Sequence, residues 1–219
     1  MNLTNAEENY IKSIFKLQDG TSVVSTNAIA YDLDTKPASV TDMAKKLKEK
    51  KLIDYEKYQG ITLTAEGRRF ALQIVRRHRL WECFLVDKLS FSWDEVHEIA
   101  EELEHVKSEK LVNRLSEFLG NPTTDPHGDP IPDAQGKMSK SKQLVSLDKA
   151  TSKRLEVAGV SDQSSSLLEF LKAKGIRLGT QIEVIERYDF DNSVEIKIKN
   201  QSAFTISEQV SKTIMVKSL

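Results

Sequence analysis

The chain has 219 residues, 39% of them hydrophobic and 30% charged, and its 32 basic and 33 acidic residues leave a formal net charge of -1. With only nine glycines and five prolines, it is neither collagen-like nor low-complexity, and its apolar content and balanced charge exclude a disordered chain. No run approaches the roughly 18 apolar residues of a membrane span, the acidic start MNLTNAEENY lacks signal-peptide features, and the lone Cys83 has no partner for an internal disulfide, so a cytoplasmic globular protein is expected.

Helical periodicity comes first. Thr4 with Glu7 forms a capping-box pattern, and Tyr10, Ile11, Ile14, Phe15 and Leu17 make an apolar stripe, predicting a helix over about 4–18. Ser25 and Thr26 are positioned to cap a short second helix carrying Ile29, Ala30 and Leu33, and Pro37 opens a third that runs to about Lys50. LIDYEKYQGITL, residues 52–63, reads as a β-hairpin with Gly60 at its polar tip. Long helical patterns then cover about 65–89, 92–106 and, after Ser108, a stretch that Gly120 and Pro122 stop. Four of the five prolines lie between 122 and 132, so residues 121–143 are expected to be irregular. Beyond them the period changes to two, with strands expected in QLVSL, RLEVAGV, QIEVIERY, SVEIKIKN, SAFTI and TIMVKS and one helix near SSSLLEFLKAKG, which suggests a small β-barrel.

The neutral total hides a strong asymmetry. Lys36 to Arg79 holds twelve basic and five acidic residues, a local charge of +7, whereas Leu80 to Glu117 holds four and ten, a charge of -6. The basic block coincides with the third helix, the hairpin and the following helix. A helix pair with a tight connection followed by a hairpin is the outline of a winged helix-turn-helix, with its second helix in the major groove of double-stranded DNA. Thr26, Lys36, Pro37, Ala38, Ser39, Thr41 and Asp42 would face base edges or phosphates, and Lys45, Lys46 and Lys57 would contact phosphates. A lysine run alone is more often a solvated helix face, and it is the helix pair and hairpin that favour DNA.

Three of the four histidines, His78 at the end of the basic block and His97 and His105 in the acidic one, lie within 28 residues of one another. On a helix, His97, Glu101, Glu104 and His105 fall at about 0°, 40°, 340° and 80°, a single stripe. His78 and Glu82 lie one turn apart on the preceding helix, so two antiparallel helices could converge six nitrogen and oxygen donors. Taken singly, each has a plain structural explanation: His78 as a hydrogen-bonded core residue, the glutamates as an acidic solvated face. His127, in the proline-rich segment, is expected to do nothing specific. Imidazole and carboxylate donors without a thiolate suit Mn(II) or Fe(II), and also admit Zn(II), Co(II) and Ni(II).

Several motifs together resemble the diphtheria toxin repressor family of metal-dependent transcriptional regulators: EENYIKSIFKL, KPASVTDMAKKLKEKKLIDYEKYQGITLTAEGRR, RRHRLWECFL, VHEIAEELEHVKSEKLVNRL and PHGDPIP. The resemblance covers the whole chain. It implies a mostly α protein with a β C-terminal domain: a winged helix-turn-helix (1–64), a helical metal-binding and dimerization domain (65–120), a linker (121–143) and a small SH3-like β-barrel (144–219). It implies one metal site at His78, Glu82 and His97, and a second at Glu101, Glu104, His105 and Asn9. Asp162 and Gln163 of the barrel are further ligand candidates for the first site. Manganese-type members carry an aspartate where Asn9 stands and a glutamate where Lys12 stands, so the resemblance leaves the stoichiometry open. The function it implies is a homodimeric, palindrome-binding, metal-activated repressor rather than an enzyme. A metal-dependent hydrolase or oxygenase is the competing reading of the same donors, and metal-independent DNA binding is a third.

Overall fold

The computed structural model describes residues 2–18, 20, 22–56, 59–138 and 144–219. Helix α1 (Asn5–Leu17) starts at Thr4, whose side chain accepts from the Glu7 amide while the Glu7 carboxylate accepts from Thr4, as the capping box requires. Ser25 caps α2 (Thr26–Asp32) and Pro37 is the first residue of α3 (Pro37–Glu49). Strands β1 (Ile53–Glu56) and β2 (Gly60–Leu63) pair antiparallel, Ile53 opposite Leu63 and Glu56 opposite Gly60. Helix α4 (Ala65–Leu89) follows, then α5 (Val96–Leu103) and α6 (Glu109–Phe118).

Two compact units divide the chain, the first comprising Met1–His78, Glu101–Arg114 and Pro132–Lys137. Its core is the inner face of each element named so far up to the start of α4: Ile11 and Ile14, Ile29, Val40 and Leu47, Ile53 and Ile61, Ala71 and Ile74. At Gly67, in the first turn of α4, a Cβ would lie 1.9 Å from the Leu52 carbonyl oxygen. The helix therefore enters pressed against the backbone at the base of the hairpin, and Lys48 Nζ donates to the Tyr55 carbonyl at 2.8 Å to hold α3 against the same hairpin.

The second unit comprises Arg79–Ala100, Leu115–Ile131 and Met138–Leu219. Strands β3 (Val145–Ser146), β4 (Arg154–Val160), β5 (Gln181–Tyr188), β6 (Ser193–Ile198), β7 (Phe204–Ile206) and β8 (Ile214–Ser218) form one antiparallel sheet in the order β3-β8-β4-β5-β6-β7. Alternate residues such as Leu155 and Val157, Ile182 and Val184, Val194 and Ile196 point into a core closed by Leu168 and Leu171 of α7 (Ser165–Ala173). The same unit holds the proline-rich loop, which has no helix but is ordered: Thr124 bridges to Pro130, and Asp125, His127 and Ile131 are buried. His127 O accepts the Val160 amide at 3.0 Å, and Gly128, with φ +92°, lies where a Cβ would be 2.2 Å from the Ala158 carbonyl. The loop is thus laid directly along β4.

The expectation of a helix over 92–106 is corrected at both ends. The Ser92 amide donates to Glu95 and its hydroxyl to Asp94, winding residues 93–95 into a turn. At the other end Arg77 Nε takes the Glu104 carbonyl, so Glu104 and His105 lie in a turn beyond α5 rather than on its stripe. A short α8 (Glu208–Thr213), capped by Ser207, was not expected, since its six residues are too few for a periodic signal. Replacing Gly67 by alanine should force the Leu52 carbonyl aside and cost about 1–3 kcal/mol, read as a lower Tm; an unchanged Tm would show that the contact is easily relaxed.

Candidate metal centre and nucleic-acid interface

In the second unit, Glu82 of α4 meets Asp125 and His127 of the loop, their ligand-type atoms all within 4.8 Å of one another and all three residues buried. Asp125 Oδ1 accepts the amides of His127 (2.8 Å) and Asp129 (2.9 Å), which folds the loop around it. Its other oxygen, Oδ2, is buried with no hydrogen-bond partner, 3.3 Å from Arg79 Nε. His127 stacks on Trp93 at 6.0 Å between centroids and directs Nε2 to the Trp93 carbonyl at 2.8 Å. A carbonyl can only accept, so that nitrogen carries the proton, and in the neutral ring Nδ1 presents its lone pair. Nδ1 has no hydrogen-bond partner and lies 3.7 Å from Glu82 Oε1. A histidine whose second nitrogen is tied to a carbonyl, beside two carboxylates, is how proteins orient an imidazole for a cation. His97 of α5 approaches the same Glu82 Oε1 at 3.5 Å. The donors fit a divalent ion of the Mn(II), Fe(II) or Zn(II) type.

The electrostatics agree. Burial, with Glu82 and Asp129 nearby, pushes the Asp125 carboxyl up to about 7 against the pull of Arg79 and His127. Burial alone would lower the His127 imidazolium, but Glu82, Asp125 and the Trp93 carbonyl raise it. Without a cation, the centre therefore retains protons near neutrality. Cys83, adjacent to Glu82, is buried and its thiol is pushed far up by burial and by Asp125, Asp87 and Glu82, so it is no thiolate donor.

A second cluster lies in the first unit. Glu104 is fully buried and its Oε2 receives Lys12 Nζ at 2.8 Å and His78 Nδ1 at 2.7 Å; Lys12 also reaches Glu101 at 3.4 Å. Burial would raise the Glu104 carboxyl, but the His78 hydrogen bond and the Lys12 charge hold it below the usual range. His105 Nδ1 lies 2.7 Å from Glu8 Oε2, and Glu8 pairs with Arg77 at 3.0 Å and Lys107 at 3.6 Å. Here an ammonium and a guanidinium lie within 3.0 Å of the carboxylates, Lys12 on Glu104 and Arg77 on Glu8, closer than the 3.3 Å of Arg79 from Asp125 in the first cluster, so these residues fit a divalent ion less well than those around Glu82.

Of the sequence-derived candidates, Glu82 and His97 come together, and His78, Glu101, Glu104 and His105 take part in the second cluster. His127, set aside as unspecific, is wholly buried at the heart of the first cluster. Asn9 is half-buried on α1, but the α1 side chains that reach the cluster are Glu8 and Lys12. Asp162 is exposed and its Oδ1 accepts the Ser164 amide at 2.8 Å, while Gln163 donates to Asp129 at 3.1 Å. Asp125 escaped notice altogether. The usable signal was an acid and a histidine two residues apart in a loop framed by Pro126 and Gly128, a spacing outside helical or strand periodicity.

On the first unit, Lys36, Pro37, Ala38, Ser39, Asp42, Lys45 and Lys46 are exposed at the start and along the outer face of α3. Thr26 and Thr41 are half-buried and line a cleft with Ser25, Tyr55, Gln59 and Gly60. Thr41 back-bonds to the Pro37 carbonyl at 3.1 Å, and Lys45 pairs with Asp42 at 3.0 Å in a solvent-exposed contact of little strength. Lys57 lies outside the described residues.

Residues 2–61 match the family profile described as "Iron dependent repressor, N-terminal DNA binding domain", 64–133 that of its "metal binding and dimerisation domain", and 146–218 the "FeoA domain". The iron-dependent repressor IdeR of Mycobacterium tuberculosis is 35% identical over 130 residues, 59% of this chain; the match spans 56% of that relative's length. The regulator MntR of Oceanobacillus iheyensis is 34% identical over 116 residues, 53% of this chain and 78% of its own. A solved manganese-dependent transcriptional repressor in complex with manganese superposes with TM-score 0.86 at 34% identity, covering 97% of this chain and all of that one. The chain belongs to the family of iron- and manganese-dependent transcriptional repressors.

Protons bound at Asp125 and His127 must leave before either can hold a cation. Mn(II) affinity should therefore fall as pH drops below about 7, with protons released on binding, measurable by calorimetry in buffers of different ionisation enthalpy. Both raised groups bind protons more tightly folded than unfolded, so the chelated protein should lose stability as pH rises from about 5 to 8. The lowered carboxyls, Glu7 and Glu104, act only in more acid solution. A Tm in chelator that rises over this interval would contradict the assignment.

Proposed function

We propose that the protein is a homodimeric, metal-dependent repressor that binds a palindromic DNA operator when a divalent ion occupies the centre of Glu82, His97, Asp125 and His127. The observation that carries this reading is the buried cluster of Glu82, Asp125 and His127, whose ligand-type atoms lie within 4.8 Å of one another and in which Asp125 Oδ2 and His127 Nδ1 make no hydrogen bond, in a chain whose α3 presents exposed lysines. Mn(II) is favoured and Fe(II) comes next, because the donors are mainly carboxylate oxygens with imidazole; Zn(II), Co(II) or Ni(II) would bind in vitro by their higher intrinsic affinity. The ion would supply the positive charge that lets both carboxylates stay ionised out of water.

A second copy of the chain has a surface to meet. Phe118 of α6 is 64% exposed and Leu89 of α4 52% exposed, with Phe84 beside Phe118. A two-fold dimer presents two α3 helices to half-sites about one helical turn apart. Metal favours DNA binding only insofar as it binds that arrangement more tightly than others. Helix α4 is the element suited to carry the effect, since its first turns belong to the winged-helix core through Ala71 and Ile74 and it bears Glu82 further along.

Binding to a duplex selected from random sequence, followed by fluorescence anisotropy, should weaken at least about tenfold when chelator replaces Mn(II), an effect of about 1.4 kcal/mol. Asp125→Asn and His127→Ala should remove the difference. Equal affinity with and without metal would overturn the reading. Lys45→Ala and Lys46→Ala should each reduce the slope of log K against log salt by about 1, the signature of a lost phosphate contact.

A further inference from the structure

Granting the metal-dependent reading above, the Glu104 cluster poses a separate question of charge. Glu104 has no exposed surface, Glu101 is close by, and a buried carboxylate remains ionised only beside a cation. That cation is part of the chain. Lys12 extends from α1 with its side chain 19% exposed and sets Nζ 2.8 Å from Glu104 Oε2 and 3.4 Å from Glu101 Oε1. We propose that Lys12 is a tethered counter-ion that closes the Glu101–Glu104 cluster to metal, so that each chain binds one divalent ion, at the Glu82 centre.

Three observations support this. The oxygen that Lys12 occupies also holds His78, so Glu104 Oε2 has both of its lone pairs engaged. Glu104 Oε1 is buried without a hydrogen-bond partner, but a divalent ion there would stand beside an ammonium in a poorly solvated site, where like charges repel strongly. The neighbouring acid, Glu8, is likewise already matched by Arg77 and Lys107. The ammonium would have to leave before an ion could enter. The contact between α1 and the turn after α5 is then made by Lys12 at all metal concentrations, and metal control falls to the other cluster.

Chelator-treated protein dialysed against Mn(II) and analysed by mass spectrometry for ions per chain tests the assignment. Wild type and Glu104→Gln should each bind one ion, and Lys12→Glu should bind two. Lys12→Gln, which removes the charge at similar length, should lower the Tm in chelator and recover it with Mn(II) by a larger shift than wild type. Two ions on wild type falling to one in Glu104→Gln would overturn the proposal, as would failure of both Lys12 variants to gain either an ion or the larger Tm shift. The Glu82→Gln variant reports the other centre separately. Wild type binding no ion while Lys12→Glu gains one would sink the metal-centre reading and leave the role of Lys12 standing.

Discussion

Glu82 and Asp125 are both buried, with ligand-type atoms within 4.8 Å of each other, and much of the second unit is arranged around that crowding. Two full negative charges at this distance repel by about 3 kcal/mol even at an effective dielectric of about 20. Arg79 offsets part of it, bonding Asp129 at 2.8 Å while standing 3.3 Å from Asp125. A proton on the Asp125 carboxyl relieves more; burial first, and then the Glu82 and Asp129 charges, push that group up to about 7. A divalent cation relieves the rest, and it competes directly with the protons for the same lone pairs. In the proposed centre, metal sensing would be, in physical terms, an exchange of protons for a metal ion in a confined acidic pair.

The two clusters solve the same problem by different means. Around Glu104, Glu8 and Glu7 the compensating charges are Lys12, Arg77 and Lys50, all supplied by the chain itself. Around Asp125 the loop backbone supplies amides to one carboxylate oxygen and leaves the other without a hydrogen bond, 3.3 Å from Arg79 Nε. The first arrangement needs no ion from solution. The second makes stability depend on what the solution contains.

Most of the fold was legible because its elements announce themselves by period and caps. Thr4 and Glu7, Pro37, Gly60 with its positive φ, and the alternation of β4 through β6 each fix a local structure that tertiary packing then keeps. The misjudged parts depend on contacts distant in sequence. The end of α5 is set by Arg77 taking the Glu104 carbonyl, 27 residues away, and no helical wheel contains that information. Asp125 and His127 belong to a loop whose conformation comes from an Asx turn and from β4, so no periodicity places them opposite Glu82. Lys12 was visible as an unusual residue, but its function depends on the burial of Glu104, which only the fold reveals.

The seam between the proline-rich loop and β4 gives the C-terminal sheet more than a supporting role. Gly128 lies against the Ala158 carbonyl and His127 is hydrogen-bonded to Val160, so the loop that carries two members of the proposed metal centre takes its shape from the end of β4, an interior strand of the sheet. A cation that binds only the shaped loop must by linkage also favour the folded sheet. An ion in the proposed centre and the β-sheet would thus be mutual chaperones: in metal-poor conditions the sheet would lose a clamp along β4, and in a chain whose sheet is damaged the metal would lose its mould.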